Sequence, residues 1–345
     1  MPPSPTNSSL EFRTGLRDLL WRQWSALGVA GTAKPAGGAC IDLEALVLLT
    51  TTQGRRDARL FDEVLDWLWN HGQMVNVQRL RNIQRSLALG EPRVIAAIAA
   101  WLTQRSTLSK WKSLAVPPAE SASSPEPFFS SGDGARQPVF GESDPIFLRH
   151  GFRRGPIRRR ELSQAPNPTA AALLPWKLRS LFGVQARCEV LLWLLTHLSG
   201  NPADIARASF YFPRTVEETL NELAGSGLVQ SARTGREKRF WLKPADWSFL
   251  RTWDAPAGFP AWIDWPRLFA VQTRLMAVLD RTDLSPTLQA SELRRVFAEL
   301  QPILMAGSLT PWFRAGRHHT GVDFTAALRA DLGALPDRIE AENRR

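Results

Sequence analysis

The stretch FPRTVEETLNELAGSGLVQSARTGREKRFWL, residues 212–242, decides how the rest of the chain is read. Pro213 suits the first turn of a helix, where a missing N–H costs nothing. From there Val216, Leu220 and Leu223 recur on one stripe. At about 100° per residue the opposite face carries Arg214, Glu218 and Asn221. Gly225 and Gly227 end that helix, and LVQSAR and KRFWL then read as two short strands joined by the turn Thr234-Gly235-Arg236-Glu237.

Working upstream, RCEVLLWLLTHL (187–198) places Val190, Leu191, Leu194, Leu195 and Leu198 on one helical stripe, ended by Ser199 and Gly200. In NPADIARAS, Asn201 is a capping residue, Pro202 fits the first helical position and Asp204 lies near the positive end of the helix dipole. Ile205 and Ala206 are its expected buried contacts. Three helices followed by a basic hairpin is the order of a winged helix-turn-helix, with a recognition helix at 213–225 and a wing at 229–242.

Residues 187–242 resemble the winged-helix domain of ArsR/MarR-type bacterial transcription regulators. The resemblance is carried by Asp204-Ile205-Ala206, by Arg214-Thr215-Val216 with Leu220 and Leu223, by Gly227-Leu228-Val229, and by Gly235-Arg236 leading to Phe240-Trp241-Leu242. It implies a third helix in the major groove, a wing on the adjacent backbone and a homodimer. Such use fits the residues. Arg214 can bond guanine bidentately and Asn221 adenine, while Glu218 can accept from a cytosine amino group or hold Arg214 as an i,i+4 pair. Thr215 can reach a phosphate near the helix N-terminus. Arg233, Arg236, Lys238 and Arg239 suit phosphate contact. Glu217, Glu218 and Glu222 depart from the small polar or basic residues more usual there. They leave open a second reading, in which the winged helix is a protein-interaction adaptor or scaffold.

The remaining chain reads as mainly α and multi-domain. SLEFRTGLRDLLWRQWSAL (9–27), IDLEALVLLTTT, DARLFDEVLDWLWNHG, VNVQRLRNIQRSLAL and EPRVIAAIAAWL form an N-terminal helical domain over 9–113. In the third of these Asp62, Glu63 and Asp66 lie opposite the apolar stripe, as an exposed face. In the fourth Arg79, Arg81 and Arg85 are expected outside, where they could meet phosphates if these two helices were a second helix-turn-helix. Residues 114–172, rich in Pro, Ser and Gly, read as a disordered basic linker. Its RHGFRRGPIRRR (149–160) is either a solvated tail or an arm lying along phosphates. The winged domain spans 173–250. A C-terminal helical domain spans 260–338, with Leu268, Val271, Leu275 and Leu279 on one stripe, and is a bundle core or a dimerisation or ligand-sensing region.

Composition bounds the function. A net charge of +10 favours polyanions, nucleic acid foremost. Two cysteines, Cys40 and Cys188, suggest neither a disulfide framework nor a zinc site, and with no visible signal peptide they point to the cytoplasm. The longest apolar run, VIAAIAAWL, is about half a membrane span. No Walker loop, GxGxxG, HExxH or GxSxG occurs, so no enzyme and no cofactor are expected. His318, His319 and Asp323 fit no metal-ligand spacing. The expected partners are double-stranded DNA, a second copy of the chain and, on the alternative reading, another protein.

Overall fold

The computed structural model describes residues 5–31, 33–34, 38–116, 124–131, 135–235, 237–251, 258–314 and 318–342. The fold is mainly helical, and the sheets among the described residues are two two-stranded ones. No helix among them is long and apolar enough to cross a membrane. The chain forms two compact units, Met1–Pro35 with Leu43–Ala165 and Ala36–Asp42 with Pro166–Arg345.

The first unit is built on α1 (Pro5–Ala26), α2 (Leu43–Gln53), α3 (Ala58–His71), α4 (Val77–Leu87) and α5 (Pro92–Leu102). Local sequence fixes their starts. Asp57 and Asn76 accept from the amides of Leu60 and Arg79, satisfying donors that a helix end leaves orphaned, and Pro92 fills the first turn of α5. In the core Trp24 meets Trp67 edge-on at 5.3 Å, and the Trp67 indole donates to the Leu27 carbonyl at 2.7 Å.

Two expectations about polar faces fail in this unit, and so does the expected disorder of the segment that follows its helices. Arg79 is buried, not outside: it pairs with buried Glu44 at 2.7 Å, and the other Glu44 oxygen accepts from the Asn76 amide. It is therefore not available to phosphates. Glu63 and Asp66 are buried rather than solvated. Arg160 and Ser163, from the segment after the helices, reach these two carboxylates. Residues 126–129 and 144–154, expected within a disordered linker, pack on the helices. Strands β1 (Glu126–Pro127) and β2 (Phe152–Arg153) pair in parallel around the short helix α6 (Pro145–Arg149), and Phe128, Phe147 and Phe152 are buried. These three phenylalanines in a Pro/Ser/Gly-rich stretch suffice because they join an existing core: Phe128 lies 4.7 Å from Phe61 of α3 and 5.1 Å from Phe147.

In the second unit the stretch Ala39–Ile41 is held by Cys40 N–H donating to Ala261 and Ile41 N–H to Ala172. Helix α7 (Leu174–Phe182), not anticipated, packs on α8 (Ala186–Thr196). Then follow α9 (Pro202–Ser209), α10 (Pro213–Gly225) and the antiparallel strands β3 (Val229–Thr234) and β4 (Glu237–Leu242). Val190, Leu191, Leu194, Leu195, Ile205, Ala206, Val216, Leu220, Val229 and Phe240 share one core. Leu198 does not join it and is 99% exposed. Helix α8 stops at Thr196 because His197 turns extended (φ −132°, ψ 151°), so the expected stripe loses its last member.

The C-terminal part of this unit comprises α11 (Trp265–Leu279), α12 (Pro286–Ala306), α13 (Gly321–Gly333) and α14 (Leu335–Glu342). Leu268, Val271, Leu275 and Leu279 of α11 are buried, as their spacing implies. The buried carboxylate of Asp264 caps α11 and pairs with Arg267, which also donates to the Arg207 carbonyl of α9 at 2.9 Å. One side chain thus ties the bundle to the three-helix core.

Candidate nucleic-acid interface

Helix α9 starts as its sequence dictates: Asn201 accepts from the Asp204 amide at 2.8 Å, with Pro202 in the first turn. Phe210, in the left-handed region at φ 60°, makes the corner before α10. Helix α10 buries Val216, Thr219 and Leu220 against the core and presents Arg214, Glu217, Glu218, Asn221 and Glu222 outward, all exposed. Arg214 is 89% exposed, and its Nε donates to Glu218 at 2.8 Å. That hydrogen bond, and then the Glu218 charge, raise the Arg214 pKa above its usual value. Thr215 is half-buried, with its carbonyl accepting from the Thr219 hydroxyl at 2.8 Å. Glu222 pairs with Arg187 of α8 at 2.8 Å.

The register of the hairpin sets Thr234 opposite Glu237, leaving a two-residue turn in which Gly235 takes φ 64°. Arg236, expected at the tip, lies outside the described residues. Because directly opposed residues share a face and neighbours alternate, Arg233, Lys238 and Phe240 project to the core side. Lys238 there lies 4.8 Å over the Phe240 ring and donates to Asn221 at 2.8 Å. Arg239 projects to the other side. It donates to the Ser199 hydroxyl at 3.2 and 3.1 Å and pairs with Glu237 at 3.0 Å, while Glu237 also accepts from Asn201 at 2.7 Å. The structure therefore groups Arg214, Glu218, Asn221, Arg233 and Lys238, with Thr215 at the helix start. It separates Arg239, which strand alternation alone would have told from Lys238.

Gly200, expected only as a helix stop, also builds the sheet. Gly200 and Phe240 exchange both backbone hydrogen bonds at 2.9 Å, adding a short third rung to the sheet. The space admits no larger residue, since a Cβ would stand 2.6 Å from Trp193 Nε1 and 2.9 Å from Ile205. On the Arg239 side lies a cleft of about 480 Å³ lined by Trp193, His197, Arg207, Trp262 and Trp312. His197 stacks on Trp193 there at 3.6 Å, and burial lowers its pKa. His318 and His319 are exposed, and no group of three His, Cys, Asp or Glu among the described residues is placed to hold a metal. Compared with protein-family models, with curated proteins and with solved structures, the chain gives no match.

Proposed function

We propose that residues 174–242 are a winged helix that binds duplex DNA sequence-specifically, and that the protein is a cytoplasmic transcriptional regulator without catalytic activity, acting as a homodimer. The observation that carries this reading is the Lys238–Asn221 contact, which sets the hairpin beside an open outer face of α10. Arg214 and Asn221 lie on that face at positions suited to guanine and adenine edges. Lys238 and Arg233, opposed in the hairpin, would serve as the wing's contacts to flanking phosphates. A dimer would supply the second half-site contact such readers use.

Footprinting on DNA upstream of the protein's own gene tests the reading. Protection of a discrete site, lost on Arg214→Ala, is expected; no protection at low salt overturns it.

One observation favours a second reading, an adaptor that binds protein. The outer face of α10 holds three exposed glutamates, flanked by exposed Phe212 and Leu228. Carboxylates repel phosphates, whereas an acidic face rimmed by apolar groups suits a basic protein partner. A stable partner in pull-down, indifferent to nuclease and to added DNA, selects this reading.

A further inference from the structure

The positive surplus of the chain is uneven. The first unit holds 21 lysines and arginines against 14 aspartates and glutamates, the second 22 against 19. Six of those arginines fall in RHGFRRGPIRRR, residues 149–160, which contains no carboxylate. From Arg154 onward this arm has neither helix nor strand, yet it is fastened. Arg154 is buried, pairs with Asp62 of α3 at 2.7 Å and lies 5.1 Å from the Phe147 ring and 5.2 Å from that of Phe129. Arg160 pairs with Glu63 at 3.3 Å, the Ser163 hydroxyl reaches Asp66 at 3.4 Å, and the Gln164 amide donates to the Gly28 carbonyl at 2.8 Å. Arg159 lies over Trp69 at 4.9 Å. The side chains of Arg149, Arg153 and Arg158 remain exposed and make no ion pair among the described residues.

We propose that this arm is a second, sequence-independent contact surface for the phosphate backbone of duplex DNA, held on the first unit by the buried acidic side of α3. A free tail would lose chain entropy on binding; here the fold has already ordered it. Arg149, Arg153 and Arg158 lie four and five residues apart along the chain rather than side by side. That spacing matches a polyanion with charges strung in a line rather than a compact anion. Guanidinium forks favour phosphate oxygens, which they can bond bidentately. The choice of duplex DNA as the polyanion rests on the reading of the second unit.

The test uses the full chain and a fluorescent duplex of arbitrary sequence, with anisotropy read across a series of KCl concentrations. The triple variant Arg149→Gln, Arg153→Gln, Arg158→Gln is expected to flatten the slope of log K against log salt by about 2.7, three contacts at about 0.9 each, and to weaken binding roughly tenfold or more at low salt. The matching triple lysine variant should restore the slope, and thermal melts of both should match the wild type, because these side chains are exposed. An unchanged slope and affinity overturns the proposal. So does binding of the wild type to phosphatidylserine vesicles but not to the duplex, which would assign the arm to a lipid surface. Failure of the arm is distinguishable from failure of the winged helix. The affinity ratio between a footprinted site and a scrambled duplex reports on α10 alone. If that ratio is large while the arm variant binds both duplexes as the wild type does, the arm is excluded and α10 is not.

Discussion

Lys238 donates to Asn221 across 2.8 Å, fastening the hairpin to the outer face of α10. If that face reads bases, Asn221→Ala should cost about 1–3 kcal/mol of discrimination at a single adenine position. Anisotropy on single-base variants of the footprinted site measures this directly. Because Asn221 is exposed, its removal should change folding stability by less than about 0.5 kcal/mol. A uniform loss over all sequences would instead make Asn221 a spacer for Lys238.

Glu218 holds Arg214 at 2.8 Å on the same face. Glu218→Gln removes a negative charge facing the phosphates and releases the guanidinium. DNA binding should therefore tighten for every duplex, with a steeper salt slope. Thermal stability should hardly move, since exposed i,i+4 pairs contribute little. An adaptor that recognises a basic partner predicts the reverse: weaker capture of that partner and no effect on DNA.

Much of the architecture is legible locally. Apolar stripes mark α3, α4, α10 and α11, and Asp57, Asn76 and Asn201 mark helix starts, because stripes and caps depend on residues within one or two turns. What escapes is set at long range. The arm finds its carboxylate on α3 92 residues away, and no periodicity in either segment encodes that pairing. Burial of Glu44 with Arg79 is invisible for the same reason: a charged residue on a helix reads as solvated until a partner from elsewhere covers it. The end of α8 is different, for the signal lay close by. The Thr196 hydroxyl folds back to the Leu192 carbonyl, and His197 stacks on Trp193, so the chain leaves the helix before Leu198. Of the residues expected at a DNA interface, Arg214, Glu218 and Asn221 lie on one exposed face of α10, Thr215 is half-buried beside it, and strand alternation divides Lys238 from Arg239.

The anchor of the arm can be tested by stability alone. Arg154→Ala removes a buried guanidinium that pairs with Asp62 and lies among phenylalanine rings. Breaking a buried pair costs about 3–5 kcal/mol, and the lower figure applies because Asp62 is 37% exposed and can rehydrate. Urea melts should show a loss of about 3 kcal/mol. A loss under about 1 kcal/mol, the scale of a surface pair, would mean that the arm is only loosely held.

Gly200 and Gly225 should respond oppositely to alanine. At Gly200 the new methyl would meet Trp193 Nε1 at 2.6 Å and Ile205 at 2.9 Å, so overpacking should cost about 1–3 kcal/mol. Gly225 ends α10 with nothing within 4 Å of a Cβ, and alanine there should stabilise by about 0.5–1 kcal/mol through reduced unfolded-state entropy. Paired melts of the two variants check the sheet rung at Gly200 independently of any ligand.

The stack of His197 on Trp193, with ring centroids 3.6 Å apart, should make the second unit sensitive to acid. Burial disfavours the imidazolium and holds the folded pKa below the ordinary value of 6.5. The unfolded chain then binds the proton more readily, so the stabilising contribution is present above pH 6.5 and is lost as pH falls through the lower folded value. Asp204, Arg207, Arg239, Asp264 and Glu342 line the same cleft, so its charges have both signs, and burial is the largest influence on the ring. Urea midpoints should therefore fall from pH 7.5 to 5.5. His197→Phe keeps an aromatic stack without a titrating group and should flatten part of that fall. The remainder includes His71 in the first unit, whose pKa is lowered by burial and then by Arg105. An unaltered pH profile in His197→Phe would show that the stack is already solvated or charged in the folded protein, and that the cleft beside the hairpin is open to water.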